Sequence, residues 1–146
     1  MKGLRALFSK FSKRTCVGVF TLAPVEQNSP LVGLNGTCKE ALGIETLGGK
    51  FTPLIQKGSL VPCQVTEIFS TASDNQSYME INVFRGEGDK VKEAHPLGVY
   101  KIIDIPLMRA GQPQIDVRFE ITRTRDIYMS AELENNKEKM KIEKYL

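Results

Sequence analysis

Apolar and polar residues alternate strictly along three stretches of the chain. The stretch at 115–121 reads IDVRFEI, so every second residue is apolar. The stretches at 79–83 (MEINV) and 127–133 (IYMSAEL) follow the same rule. Because successive side chains of a strand point to opposite faces, this period of two predicts three strands that each bury one face.

Weaker strand segments surround these three. They lie at 42–46, 50–55, 64–70, 97–103 and 140–145. Turn-forming residues separate the segments, at 48–49, 58–59, 74–75, 86–88 and 135–136. About eight short strands joined by hairpin-length turns predict an all-β fold, an antiparallel β-sandwich that spans residues 42–146.

The leading segment has a different character. The first 25 residues contain five basic residues and no acidic one. Helical spacing, typical of a short amphipathic helix, relates Leu4, Leu7, Phe8 and Phe11. Three interpretations stay open: a mitochondrial transit peptide, a weak secretory signal, or a solvated tail. Residues 24–41 mix turn formers with scattered apolar residues and are interpreted as a linker or loop. We therefore expect a basic, largely irregular or short-helical segment at 1–41, and a cytoplasmic or mitochondrial chain rather than one of the endoplasmic reticulum.

The composition is that of an ordinary globular chain. Of 146 residues, 41% are hydrophobic and 25% are charged, which excludes wholesale disorder, collagen and coiled coil. No apolar stretch approaches the ~20 residues that a membrane-spanning helix needs. Residues 1–41 hold six bases and two acids, and residues 42–146 hold fourteen and fifteen, so the net charge of +3 belongs to the leading segment. The near-neutral sandwich gives no reason to expect a nucleic-acid or membrane partner.

Candidates for catalysis and for metal or nucleotide binding are weak. His95, the only histidine, precedes a proline and is interpreted as a surface turn residue. Cys16, Cys38 and Cys63 are 22 and 25 residues apart, which is typical of neither a zinc site nor a disulfide framework, so we expect free thiols. The segment 43–51 (GIETLGGKF) is one residue too long for a phosphate-binding loop and lacks its Ser or Thr. We therefore expect no catalytic residue, metal or cofactor in this chain.

Three segments combine strand-forming residues with glycine or polar turns. They read LGIETLGG at 42–49, IFSTASDNQS at 68–77 and GQPQIDVRF at 111–119. Together they resemble the peptide-binding β-sandwich of the seventy-kilodalton heat-shock chaperones, the DnaK-type family, over roughly residues 42–145. The segments occur in the family's order and with family-like spacing. In that family an extended peptide passes between strand-connecting loops, held by backbone hydrogen bonds and by one apolar pocket.

The resemblance implies a binding site drawn from these three segments and from the strand at 79–83 that follows the second. The residues that would line or support its central pocket are Ile44, Thr46, Phe69, Met79, Ile81 and Ile115. An arch over the peptide would come from Leu47 and Ala72. Hydrogen bonds to the peptide would come from Ser70, Gln76 and Glu80. The implied function is a chaperone module that reversibly binds extended hydrophobic segments of unfolded polypeptides, with J-domain co-chaperones as further partners.

The sequence also departs from the family pattern. A nucleotide-binding domain is missing, so we expect no ATP hydrolysis, and a missing helical lid predicts fast peptide exchange. The stretch 32–41 is neither acidic nor leucine-rich, as the family's interdomain linker is. Tyr78 and Met79 stand where small and β-branched residues are common, which predicts a shallower or more adaptable pocket. Since periodicity alone would make Phe69, Met79 and Ile81 ordinary core residues, a degenerate fragment that keeps the sandwich without regulated binding is the alternative.

Overall fold

The computed structural model describes residues 16–145, and this part of the chain forms two antiparallel sheets. It contains ten strands and a short 3₁₀ turn at Val91–Glu93. The strands are β1 (Cys16–Phe20), β2 (Leu22–Glu26), β3 (Ala41–Thr46), β4 (Lys50–Ile55), β5 (Cys63–Phe69), β6 (Met79–Gly86), β7 (His95–Ile102), β8 (Ile115–Ile121), β9 (Ile127–Leu133) and β10 (Ile142–Tyr145). The prediction of an all-β antiparallel sandwich is confirmed.

All eight strands that the sequence predicts are present, as β3 to β10. In β8, Ile115, Val117, Phe119 and Ile121 are fully buried, whereas Arg118 between them is exposed. This alternation arises because one face of the strand packs on the opposite sheet while the other face meets solvent.

The two sheets enclose the core. The six-stranded sheet has the order β1-β10-β7-β6-β3-β4, and the four-stranded sheet has the order β2-β9-β8-β5. The core cluster takes Ile44 and Ile81 from the first sheet and Phe69 and Phe119 from the second. Burial of such side chains, at about 1.5–3 kcal/mol each, is the main stabilising contribution to a fold of this kind.

Two strands lie in the segment that the sequence assigns to a tail and linker. β1 pairs with β10 at the edge of the six-stranded sheet, and β2 pairs with β9 at the edge of the other. Farther along, Leu31, Val32 and Cys38 are buried in the core. Residues 27–40 lie outside the named strands, as a loop would, but 24–26 belong to β2 and the loop packs on the core, so the sheet framework starts ahead of residue 42.

The proline in the middle of β2 accounts for this difference. Pro24 has no N–H, and a proline inside a run of apolar residues argues against a central strand. β2 is an edge strand, however, and its register with β9 shifts between Pro24 and Glu26. The helix predicted around Leu4, Leu7, Phe8 and Phe11 lies outside the described residues, and the targeting or tail role of the N-terminal segment stays a prediction.

A glycine in β3 positions the hairpin that β3 forms with β4. A Cβ atom on Gly43 would lie 2.3 Å from the carbonyl oxygen of Thr52 and 2.8 Å from the Cα of Pro53. These two atoms belong to the backbone and cannot move aside cheaply. Gly43 therefore permits a close approach of the two strands that no larger residue would allow.

Candidate functional site

In the six-stranded sheet, the main-chain pairing of β3 with β6 ends before the β3–β4 turn. Their backbone pairing runs from Ala41 opposite Gly86 to Ile44 opposite Val83 and ends there. Beyond that point β3 pairs with β4 alone, and the first residues of β6, from Met79 on, pair with β7 alone. Main-chain pairing of β3 with β6 therefore stops short of the β3–β4 turn, and the region between residues 45–46 of β3 and 79–82 of β6 is called the wedge here.

Two buried polar side chains bridge this wedge. Nδ2 of Asn82 donates a hydrogen bond of 2.9 Å to Oε1 of Glu45, and the residues are 2% and 7% exposed. A buried hydrogen bond to a carboxylate is stronger than one in water, and its loss leaves a costly unsatisfied group. The pair holds the strands together where main-chain pairing stops.

Five of the six residues predicted for the central pocket lie together in the core. They are Ile44, Phe69, Met79, Ile81 and Ile115, each at most 1% exposed. The sixth, Thr46, is half-buried at the end of β3, with its Oγ1 2.9 Å from Oγ1 of Thr52. The structure thus brings the apolar members together, and their contact with a peptide side chain stays a prediction.

The two residues predicted for the arch lie on turns that follow β3 and β5. Leu47 opens the β3–β4 turn and is 69% exposed. Ala72 is exposed in the β5–β6 loop, residues 70–78. Gly48 and Gly49 complete the turn after Leu47 with φ angles of +82° and +71°, which favour glycine. Both arch positions therefore present apolar side chains to solvent on loops of the candidate site.

Gln76, predicted to bond a peptide, organises the loop that carries it. Its Oε1 accepts hydrogen bonds from the N–H of Ala72 at 3.0 Å and of Ser73 at 3.2 Å. Its Nε2 donates to the carbonyl oxygen of Tyr78 at 2.7 Å. These bonds close the β5–β6 loop on itself, and a bond from Gln76 to a peptide stays a prediction.

Ser70 and Glu80, the other two residues predicted to bond a peptide, are enclosed by protein. Oγ of Ser70 donates to the carbonyl oxygen of Pro113 at 2.6 Å, which joins the β5–β6 loop to the segment ahead of β8. Glu80 is 6% exposed and lies opposite Lys101 in the pairing of β6 with β7. Their contact with a peptide is likewise still a prediction.

A second loop, residues 103–114 between β7 and β8, braces the β5–β6 loop. The N–H of Asn75 donates to the carbonyl oxygen of Met108 at 2.8 Å, and the N–H of Ala110 donates to Oδ1 of Asp74 at 2.8 Å. The sequence offers little signal for this contact beyond the adjacent Asp and Asn, which are typical of turns. These two hydrogen bonds hold the β5–β6 loop in place beside the wedge through contacts between loops.

An open cavity of about 320 Å³ lies beside the β5–β6 loop. Its lining residues are Ser73, Asn75, Gln76, Ser77, Tyr78, Met79 and Glu80. Nζ of Lys101 lies 4.2 Å from the ring centroid of Tyr78 and donates to the hydroxyl of Tyr145 at 3.2 Å. Burial lowers the pKa of Lys101, but the hydrogen bond to Tyr145 and the neighbouring acidic groups outweigh it and raise that pKa. A charged ammonium group therefore stands behind one wall of the cavity.

A comparison with protein-family models matches residues 22–145 to the family described as Hsp70 protein. The match covers most of the chain and includes every strand from β2 to β10. The chain belongs to the Hsp70 family. This membership links it to a family of ATP-hydrolysing chaperones.

The rest of the described Hsp70-family chain holds few groups that could support catalysis or metal binding. Within residues 16–145, no three or more His, Cys, Asp or Glu side chains are grouped so that they could hold a metal ion. His95, predicted for a surface turn, is exposed but is the first residue of β7. In the same part of the chain, no helix is long and apolar enough to cross a membrane. The wedge, the β5–β6 loop and the cavity therefore form the candidate site of this Hsp70-family protein.

Proposed function

We propose that this chain binds extended, apolar segments of unfolded polypeptide in the wedge between β3 and β6. The observation that carries the proposal is the early end of the β3–β6 pairing, at Ile44 opposite Val83. Strand backbone whose main-chain pairing has ended on one side offers hydrogen bonds to any extended chain, whatever that chain's sequence. Membership of a chaperone family supports the same function.

Met79 supplies the selectivity of the proposed site. It begins β6, is 1% exposed and also lines the cavity beside the β5–β6 loop. A methionine side chain has three rotatable bonds and repacks easily, so it can move aside to admit a Leu- or Ile-like side chain. Full burial of such a side chain contributes about 2–3 kcal/mol before ordering costs, which favours a modest affinity.

The proposed mechanism is reversible capture without covalent chemistry. The partners are unfolded polypeptides and, as the resemblance to the DnaK-type chaperones implies, J-domain co-chaperones. Binding by the described strands needs no cofactor, so the proposal assigns no ATP hydrolysis to this chain. ATP hydrolysis by the purified chain would contradict this part of the proposal.

The burial of the pocket residues supports a second candidate. Ile44, Phe69, Ile81 and Ile115 are 0% exposed, as in any sandwich core. In this alternative the chain keeps the fold of the family without binding peptide.

A fluorescently labelled, leucine-rich heptapeptide titrated with the full chain distinguishes the two candidates. We expect a saturable rise in anisotropy, and we expect Met79→Trp to weaken binding about 10-fold or more because the indole fills the pocket. Tyr128→Trp is the matched control, since it adds the same group on β9 of the other sheet. Circular dichroism verifies that both variants fold. The absence of a saturable change at high micromolar protein would refute peptide binding and support the second candidate.

A further inference from the structure

Two cysteines far apart in the sequence lie side by side in the fold. Cys38 and Cys63 are separated by 25 positions, yet both thiols are free and lie near enough for each to affect the pKa of the other. Cys38 is 2% exposed, and Cys63 is half-buried against the same core cluster. The sequence predicts free thiols without close partners, whereas the structure places these two close together.

Backbone hydrogen bonds hold the two cysteine segments in a fixed relation. The N–H of Cys38 donates to the carbonyl oxygen of Ser59 at 2.9 Å, and the N–H of Gly58 donates to the carbonyl oxygen of Cys38 at 2.8 Å. The N–H of Val61 donates to the carbonyl oxygen of Gly36 at 2.9 Å. These bonds hold the segment around Cys38 against residues 58–61, which directly precede Cys63.

The pair of thiols is a poor binding site for a metal ion. Within the described residues, no third His, Cys, Asp or Glu joins the two cysteines, and a structural zinc site needs four such ligands. Direct bonding between the two sulfur atoms needs no further group. The half-buried Cys63 is the one that a reagent from solvent can reach.

We propose that Cys38 and Cys63 form an intramolecular disulfide when the chain meets a small disulfide oxidant such as oxidised glutathione. The Cys63 thiolate attacks one sulfur of the oxidant, which releases one glutathione thiolate and leaves a mixed disulfide on Cys63. Cys38 then loses its proton and attacks Sγ of Cys63, which releases the second glutathione. The two protein thiols are oxidised and lose two hydrogen atoms, and the oxidant is reduced to two molecules of glutathione.

The pKa values of the two thiols set the conditions for this reaction. Burial, together with the contact with Cys63, raises the pKa of Cys38 to about 11, and burial also raises the pKa of Cys63. Only the thiolate attacks a disulfide, so cross-linking is slow at neutral pH. Its rate is expected to rise about tenfold per pH unit below these pKa values.

The cross-link would join the two sheets at one end of the sandwich. Cys38 precedes β3 of the six-stranded sheet, and Cys63 is the first residue of β5 of the four-stranded sheet. The closed loop contains β3 and β4. A covalent closure of this length restricts the unfolded chain, so the oxidised protein should unfold at a temperature higher by roughly 5–15 °C.

Peptide mapping of the full chain tests the proposal. The reduced chain is incubated with excess oxidised glutathione at about pH 8.5, quenched in acid, alkylated and digested without reduction by trypsin and a glutamate-specific protease. Cleavage after Glu26 separates Cys16 from Cys38. We expect peptide 27–39 linked to peptide 58–67, an intact chain lighter by two hydrogen atoms, and loss of the link on reduction.

Variants and thermal unfolding complete the test. Cys16→Ser should keep the cross-link, and Cys63→Ser should lose both the cross-link and the rise in unfolding temperature after the same treatment. A persistent glutathione adduct on Cys63 without the link, or a link that uses Cys16, would overturn the proposal. Should Cys63→Ser fail to fold, the peptide map of the unmodified sequence still decides.

Discussion

The side-chain amide of Asn82 donates a 2.9 Å hydrogen bond to the carboxylate of Glu45 at the first register step after β3 and β6 stop pairing. The last backbone pair is Ile44 opposite Val83, so Glu45 and Asn82 would form the next one. A side-chain bond thus stands where a further main-chain pair would be. It ties β3 to β6 at the point beyond which no main-chain pair joins the two strands.

Removal of the amide at this position should destabilise the fold. Asn82→Ala leaves the nearly buried Glu45 carboxylate without this donor, and we expect the free energy of unfolding to fall by about 2–3 kcal/mol. Urea unfolding measures the loss. Gln64→Ala, at an exposed position of β5, is the control and should change stability by less than about 0.5 kcal/mol. Equal losses in the two variants would mean that the buried bond contributes nothing specific.

The exposed leucine at the start of the β3–β4 turn should affect peptide binding without affecting stability. Leu47→Ser removes an apolar side chain that is 69% exposed, so we expect peptide affinity to fall about 3- to 10-fold with unchanged urea unfolding. Leu34→Ser is the matched control, because Leu34 is 93% exposed and precedes β3 rather than following it. Anisotropy titration measures both. An unchanged affinity in Leu47→Ser would exclude this turn from the site.

A partly buried arginine attaches β2 to β6. Nε of Arg85 lies 3.4 Å from Oε1 of Glu26, and Nη1 lies 2.9 Å from Oε1 of Glu40. The Arg85 side chain is 15% exposed. Arg85→Met would leave two carboxylates close together without their cation, so we expect a loss of about 2–3 kcal/mol in urea unfolding. The control is Lys57→Met, which breaks the exposed pair with Glu87 and should cost less than about 1 kcal/mol. Comparable losses would show that burial does not strengthen the Arg85 pairs.

The sequence predicts the position of a strand when one face of that strand packs on the core and the other face meets solvent. The alternation in β8 and β9 identifies their inward faces whatever their partners are. β2 is different, because Pro24 is tolerated only at a sheet edge, and edge position is a property of the whole sheet. The proximity of Cys38 to Cys63 depends in the same way on the packing of segments distant in the chain.

In the candidate site too, the sequence predicts some features, whereas others depend on the whole fold. The resemblance identifies residue types at positions such as Gln76, but an amide can bond either a peptide or its own loop. The fold directs Oε1 of Gln76 to the N–H groups of Ala72 and Ser73. The sequence does not predict the wedge. The residues of β3 and β6 have a strand-forming pattern both before and after the point where their pairing stops.

The close approach of β3 and β4 predicts a severe effect of a single methyl group. A Cβ at position 43 would lie 2.3 Å from the backbone oxygen of Thr52, so Gly43→Ala should cost about 2–4 kcal/mol or prevent folding. Gly88→Ala is the matched control, because the nearest atom, Oε1 of Glu93 at 2.5 Å, ends a flexible side chain. We expect a change below about 1 kcal/mol there. Urea unfolding compares the two, and a small effect of Gly43→Ala would show that the hairpin adjusts readily.

A buried tyrosine predicts a loss of stability at high pH. Burial first, and then the nearby Glu26 carboxylate, raise the pKa of Tyr100 well above its usual value of about 10. The unfolded chain releases this proton above about pH 10 while the folded chain retains it, so the contribution of Tyr100 is intact below that pH and is lost as pH rises.

Tyr100→Phe removes this titration and tests the expectation. Between pH 8 and pH 11 we expect the parent to lose about 1 kcal/mol more of unfolding free energy than Tyr100→Phe, as measured with urea. Both proteins carry Cys38→Ala, because the pKa of Cys38, raised to about 11, titrates in the same range. The remaining tyrosines and lysines are common to both and cancel in the difference. Parallel losses in the two proteins would mean that the Tyr100 phenol ionises as readily in the fold as in the unfolded chain.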